Sequence, residues 1–132
     1  MILLDTHVML WLRLGARELG TRARAEVDQA WESEELAVSA ISFWEVAMLK
    51  AKGRIDFPED VALWRTEQLA QGLVEIAVDG EVGIQAVGLA DFHADPADRI
   101  IVATALRGHL LATADGNILD WTGNVSRMDA RR

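Results

Sequence analysis

The sequence contains no cysteine, and only 2 of its 132 residues are proline. Without cysteine the chain can form neither a disulfide framework nor a thiolate metal site. No apolar run approaches the roughly 20 residues that span a bilayer. The first predicted strand begins at residue 2, which leaves no room for the basic region of a signal peptide. We therefore expect a cytoplasmic protein that does not associate with membranes.

Positive charge is also scarce, because 13 lysines and arginines face 21 acidic residues and give a net charge of −8. Affinity for phosphate depends on lysine and arginine, so this balance argues against a simple nucleic-acid-binding protein. Two interpretations remain open. Either the acidity keeps the protein soluble, or several of the acids are clustered and require cations.

The size and composition of the chain are those of a globular domain. Its 132 residues are 51% hydrophobic and 26% charged, which is ordinary for soluble proteins. A chain of this length can bury a sizeable core without disulfides or metals. We predict a single domain over residues 1–132.

Apolar strands alternate with helical patterns along the sequence. Because such alternation is typical of βαβ units, we predict an α/β fold. Right-handed crossovers would place helices on both faces of a mainly parallel sheet, in a three-layer α/β/α sandwich. The predicted strands are 2–4, 36–38, 74–78 and 110–113, with a weak edge strand at 125–128. The predicted helices are 6–14, 21–34, 40–52, 58–71, 80–90, 95–107 and 118–121.

Two aspartates follow predicted strands directly. Asp5 comes after the apolar run of the first strand, and Asp115 ends the fourth strand before a glycine. A buried carboxylate is costly unless something uses it, and ligands of open α/β sheets bind at the carboxyl ends of strands. An aspartate before glycine is also common in turns for conformational reasons alone.

Two further acids belong to predicted helices. Glu45 shares or borders the apolar face of its helix, where a charged residue is rarely found without a partner. Asp98 precedes the apolar stretch 100–106, so its helix should begin at the crevice of the sheet. Asp95 stands before Pro96 and is typical of an N-cap.

These four acids, Asp5, Glu45, Asp98 and Asp115, are expected to converge on one pocket. Like charges a few ångströms apart cannot all stay ionised without compensation. Mg²⁺ or Mn²⁺ is the natural partner, because both prefer carboxylate and water oxygens. Such a site supports metal-assisted hydrolysis of phosphodiesters.

At these positions the chain resembles the PIN-domain ribonucleases, specifically the VapC-type toxins of bacterial and archaeal toxin–antitoxin modules. Four segments carry the resemblance in family order. They are LLDTH at 3–7, SFWEV at 42–46, DPADRIIVATA at 95–105 and LLATAD at 110–115.

The resemblance implies a PIN-like fold with about five strands and a metal-dependent endoribonuclease acting on RNA. It further implies a homodimer that a VapB-type antitoxin neutralises by docking a helix or tail in a groove near the active site. The residues matching the family's Mg²⁺ or Mn²⁺ site are Asp5, Glu45, Asp98 and Asp115. Thr6 and Thr113 are then expected to support that site.

Several other polar and aromatic residues have competing interpretations. Arg99, with Lys50, Lys52 and Arg54, is a candidate phosphate contact or simply a solvated cation. The three histidines lack metal-ligand spacing and are interpreted as structural or surface residues (His7, His93 and His109). Three tryptophans at helical spacing are interpreted as core, dimer or antitoxin contacts, rather than platforms for bases (Trp11, Trp44 and Trp64).

Other functions fit the sequence less well. A phosphate-accepting receiver domain needs paired acids after the first strand, whereas Asp5 is flanked by Leu4 and Thr6. A haloacid-dehalogenase-type phosphatase needs a second aspartate where His7 stands. Nucleotide-binding folds need glycine-rich motifs that are missing. A catalytically degenerate domain that only binds a partner remains an alternative.

Overall fold

The computed structural model describes residues 1–132 as five strands and seven helices. The strands are β1 (Ile2–Leu4), β2 (Leu36–Ser39), β3 (Val74–Ile76), β4 (Leu110–Thr113) and β5 (Arg127–Asp129). The helices are α1 (Thr6–Leu14), α2 (Thr21–Glu32), α3 (Ala40–Ala51), α4 (Val61–Ala70), α5 (Gly80–Val87), α6 (Pro96–Ala105) and α7 (Gly116–Leu119). A helix with the length and hydrophobicity of a membrane span is absent.

All strand pairs are parallel, and the sheet order is β3-β2-β1-β4-β5. The predicted α/β class with a mainly parallel five-stranded sheet is confirmed. Strand β1 lies at the centre, with Ile2 opposite Leu36 on one side and Leu110 on the other. Because the chain runs outward from β1 to β3 and then returns to place β4 on the opposite side, the strand order reverses between β1 and β4. A crevice at such a point is where open α/β sheets bind ligands.

The central strand supplies both halves of the hydrophobic core. Successive strand side chains point to opposite faces, so Leu4 packs with Val8 and Val38 while Leu3 packs with Ile101 and Leu111. The first group lies under helices α1 to α4, and the second lies under α6 and α7. Apolar layers on both faces explain why β1 reads as a continuous hydrophobic run.

The ends of several elements differ from the sequence prediction. Helix α4 begins at Val61 rather than Pro58, because Asp60 accepts a hydrogen bond from the Leu63 amide (3.1 Å) and caps the helix. The N-cap of α2 is Gly20, without a side-chain bond, rather than Thr21. Strand β5 is displaced towards the C-terminus relative to the predicted 125–128 and pairs with β4.

Candidate metal centre

Asp5 occupies the carboxyl end of the central strand. Its backbone N–H donates to the Ala112 carbonyl (2.9 Å), and its side chain caps α1 through the Thr6 amide (2.8 Å). Its second carboxylate oxygen accepts from the Thr113 hydroxyl (2.7 Å), and the residue is only 4% exposed. Burial raises the pKa of Asp5 despite these bonds. Asp5 is therefore rigidly held, and its negative charge is only partly compensated.

Glu45 faces the same end of β1 from helix α3. The Thr6 hydroxyl donates to Glu45 Oε1 (2.5 Å). The same Thr6 oxygen lies 2.9 Å from the hydroxyl oxygen of buried Ser42. Helix α3 is aimed at this point because Ser39, at the end of β2, caps it through the Ile41 amide. Burial raises the pKa of Glu45, and the nearby charge of Asp5 adds to the shift.

Asp98 enters the site from the first turn of α6. The helix begins at Pro96 with Asp95 as its N-cap, and the Asp95 side chain accepts from the Asp98 amide (3.1 Å). Nε2 of His93 lies 2.7 Å from Oδ2 of Asp98. Desolvation, with the charges of neighbouring acids that include Asp5, raises the pKa of Asp98 to about 6 although His93 opposes the shift.

Asp115 completes the set from the loop after β4. Its amide donates to the Thr113 hydroxyl (3.1 Å), and its carboxylate accepts from the Asn117 amide (2.8 Å) as the cap of α7. Thr113 therefore connects Asp5 to Asp115. The nearest ligand atoms of His93, Asp98 and Asp115 all lie within 4.8 Å of one another.

The four acids share one electrostatic environment without a basic partner from lysine or arginine. The charge of Asp5 raises the pKa of both Glu45 and Asp98, and the charge of Asp115 raises the pKa of Asp5. None of the seven ion pairs in the structure involves Asp5, Glu45 or Asp115. A cluster of carboxylate oxygens with this deficit of positive charge fits a hard divalent cation.

Arg99, a candidate phosphate contact from the sequence, makes its hydrogen bonds within the chain. Its guanidinium donates to the carbonyls of Ala86 (2.9 Å), Phe92 (2.7 Å) and His93 (2.9 Å), with longer bonds to Val87 and Leu89. It also lies over the Phe92 ring, 5.7 Å from the centroid. Through these bonds to backbone oxygens, Arg99 fixes the loop between α5 and α6.

Two residues beside the acids have no role at the site in the sequence prediction. Ser42 precedes Glu45 by three residues on α3, a spacing that puts both on one helix face and could have identified it. His93 was interpreted as structural or surface, yet its ring contacts Asp98. Its spacing matches no metal motif, so only the path of the loop brings it to the site.

Comparison with known proteins gives consistent matches. The family model of the PIN domain matches residues 2–122. Ribonuclease VapC22 of Mycobacterium tuberculosis is 38% identical over 116 residues, which cover 86% of each chain.

Solved structures share the fold at lower identity. A chain of a toxin–antitoxin complex from Klebsiella pneumoniae superposes with a TM-score of 0.63 at 22% identity, covering 98% of both chains. FitAcB from Neisseria gonorrhoeae gives 0.61 at 23% identity, again with 98% of both chains covered. With a family match over nearly its whole length and a relative well above 30% identity, the chain belongs to the PIN domain family, among its VapC-type members.

Proposed function

We propose that this chain is a metal-dependent endoribonuclease that acts as the toxin of a type II toxin–antitoxin pair. The observation that carries the proposal is a chain of contacts at the switch point of the sheet. Thr6 contacts both Asp5 and Glu45, Thr113 connects Asp5 to Asp115, and ligand atoms of Asp115 and Asp98 lie within 4.8 Å of each other. The ribonuclease name of the Mycobacterium relative supports the activity. The toxin–antitoxin origin of the Klebsiella structure supports the biological role.

The four carboxylates are the proposed ligands of Mg²⁺ or Mn²⁺. When bound, such an ion supplies positive charge that activates water and stabilises the leaving oxygen of a phosphodiester. The residues around the acids set their geometry. Thr113 fixes Asp5, Thr6 fixes Glu45, and the Asp95 cap fixes the first turn of α6 that carries Asp98. Preorganised ligands of this kind lower the cost of assembling a reactive complex.

RNA is the proposed substrate, and its binding should depend on the metal. The chain carries a net charge of −8, and phosphate contacts normally come from lysine and arginine. Arg99 is occupied by the α5–α6 loop, and Lys50 Nζ donates to the Glu59 carbonyl. We therefore expect weak affinity for nucleic acid in the absence of a divalent cation.

An apolar cavity of about 270 Å³ between α1, α2 and α4 is the proposed antitoxin surface. Met9, Leu12, Trp31 and Trp64 are among its lining residues. The buried indole N–H of Trp64 has no acceptor within the chain. Apolar side chains of an antitoxin segment would fill this volume, as in other groove-binding peptides.

The proposed homodimer needs a separate surface. Helix α5 leaves Ile84 77% exposed and Val87 82% exposed. Apolar side chains this open to water on one short helix are typical of interaction sites. We propose that this face of α5 contributes to the contact between two copies of the chain.

The activity is tested with purified protein and labelled single-stranded RNA and DNA of the same sequence. Cleavage of RNA is expected with Mg²⁺ or Mn²⁺ and should stop on addition of EDTA. Asp5→Asn and Asp98→Asn should lower the rate by at least about 100-fold, since each removes a ligand charge from the metal site. Asp56→Asn, an exposed acid on the α3–α4 connector, is the matched control. Parent-like cleavage by either site variant would contradict the proposal.

The toxin role is tested by inducible expression in bacteria. Growth arrest is expected from the parent chain and relief from Asp5→Asn produced at the same level. If the parent chain cleaves RNA in vitro but causes no growth arrest, the ribonuclease activity stands and the toxin role is rejected.

A further inference from the structure

His93 lies where the α5–α6 loop approaches the acid cluster. We propose that His93 is a positioning residue for Asp98: its ring N–H fixes one carboxylate oxygen so that the other is presented to the cation. The inference rests on the proposed function, because it assumes that Asp98 is a ligand. It assigns to this histidine a task that its sequence position did not indicate.

The contacts of the imidazole define which nitrogen carries the proton. Nε2 lies 2.7 Å from Oδ2 of Asp98, while Nδ1 is buried and has no hydrogen-bond partner. A buried N–H without an acceptor costs more than a buried lone pair on a ring nitrogen. The pattern therefore assigns the tautomer with hydrogen on Nε2, which donates to Asp98.

The loop that carries His93 is fastened from two sides. Arg99 donates to the carbonyls of Phe92 (2.7 Å) and His93 (2.9 Å), and the Trp121 indole donates to the Ala90 carbonyl (2.9 Å). The Phe92 ring packs edge-on against Trp121, with 5.4 Å between centroids. Since the backbone at His93 and just before it is held, the imidazole meets Asp98 in a preset position.

A direct bond from His93 to the cation fits the contacts of the imidazole less well than a hydrogen bond to Asp98. Nδ1 is buried, and Nε2 would have to give up its short contact with Asp98. Carboxylates that bind metals are commonly hydrogen-bonded themselves, which orients them. The same arrangement occurs twice elsewhere in the site, where Thr113 donates to Asp5 and Thr6 donates to Glu45. His93 gives Asp98 the donor that the threonines give the other two acids.

The first test measures Mn²⁺ affinity by the electron paramagnetic resonance signal of the free ion. His93→Ala should weaken Mn²⁺ binding about 10- to 100-fold, the usual effect of removing a hydrogen bond to a ligand. His93→Gln should recover most of this loss, because its amide N–H can reach the same carboxylate oxygen. His109→Ala is the matched control. His109 also has a buried, unpartnered Nδ1 but precedes β4, at the opposite end of the sheet from the acids.

The second test asks whether nitrogen touches the ion. Protein labelled with ¹⁵N-histidine and loaded with Mn²⁺ is examined by electron spin-echo envelope modulation. We expect no coupling from a directly bound histidine nitrogen. A strong coupling that disappears in His93→Gln would make His93 a ligand and overturn the positioning role. This measurement uses the parent protein and His93→Gln, so it decides the question even if His93→Ala does not fold.

The outcomes separate this inference from the proposed function. If the parent chain binds no Mn²⁺ and cleaves no RNA, both the proposed function and the role of His93 are rejected. If the parent binds Mn²⁺ and cleaves RNA, and His93→Ala has the same Mn²⁺ affinity, KM and kcat, only the role of His93 is rejected. Loss of affinity in the alanine variant, recovered by glutamine with no nitrogen coupling, supports it.

Discussion

The Thr113 hydroxyl lies 2.7 Å from Oδ2 of Asp5, a residue 108 positions away in the sequence. The Thr113 hydroxyl oxygen in turn accepts a hydrogen bond from the Asp115 amide (3.1 Å). One side chain at the end of β4 therefore orients two of the four acids. This is possible because β1 and β4 are parallel neighbours with Leu4 opposite Ala112, so their carboxyl ends coincide.

Thr113→Val should separate this role from packing, because valine keeps the shape and removes the hydroxyl. The Asp5 carboxylate, 4% exposed, would lose a donor. We expect the free energy of unfolding to fall by about 1–3 kcal/mol and Mn²⁺ affinity to fall about 10-fold or more. Calorimetric titration and thermal unfolding measure the two effects. Thr113→Ser is the control that should restore both, and a valine variant with parent-like Mn²⁺ affinity would contradict the role.

Arg99→Lys tests the fastening of the α5–α6 loop. A single ammonium group cannot replace a planar guanidinium that reaches several carbonyls at once. We expect a loss of about 2 kcal/mol in the free energy of unfolding and faster amide hydrogen exchange over residues 88–93. The matched control is Arg65→Lys, which alters an ion pair with Glu75 where the arginine is 42% exposed; it should cost less than Arg99→Lys, because exposed ion pairs contribute little to stability. Equal effects of the two substitutions would argue against a special role for Arg99.

The sequence was sufficient for the features that depend on local pattern. The apolar run before Asp5 predicted strand β1, and Gly15 ends α1 with a φ of 62°, as a glycine after a helix should. The roles of Glu45 and Asp98 were inferred from amphipathic faces together with the family resemblance. The bonds to Thr6 and His93 were beyond such inference, because they depend on how separate elements pack and on the path of one loop. The contacts of Arg99 were beyond such inference for the same reason, since no local pattern shows that carbonyls will surround it.

The exposed face of α5 predicts how the oligomer should respond to charge. Ile84→Glu and Val87→Glu place carboxylates on side chains that are 77% and 82% exposed, so the fold of a single copy should be unaffected. If two copies meet through α5, the double variant should elute as a monomer where the parent is dimeric, with an unchanged circular dichroism spectrum. Leu14→Glu, at 57% exposure on α1, is the control for added charge elsewhere. A double variant that stays dimeric would exclude this face.

Asp98 should make the metal-free protein less stable at neutral pH than it is under mildly acidic conditions. Its folded pKa of about 6 lies above the ordinary value of 3.8. At pH 7 the carboxylate is charged in both states, and only the folded state carries the cost of burying it. As the pH falls through 6, the folded protein gains a proton that the unfolded chain does not, so the free energy of unfolding rises; below about 4 both states are protonated and the gain levels off.

Asp98→Asn should therefore stabilise the protein in EDTA at pH 7 while it removes metal-dependent activity. After a discount for the partly exposed position we expect about 1 kcal/mol, shrinking towards pH 4. Thermal unfolding of parent and variant across this range measures the difference, with Asp56→Asn, at an exposed position outside the site, as the control. A variant that melts below the parent at pH 7, or an offset that does not change with pH, would contradict the assignment. The same negative charge that lowers the stability of the metal-free protein is the charge that Asp98 would contribute to binding the cation.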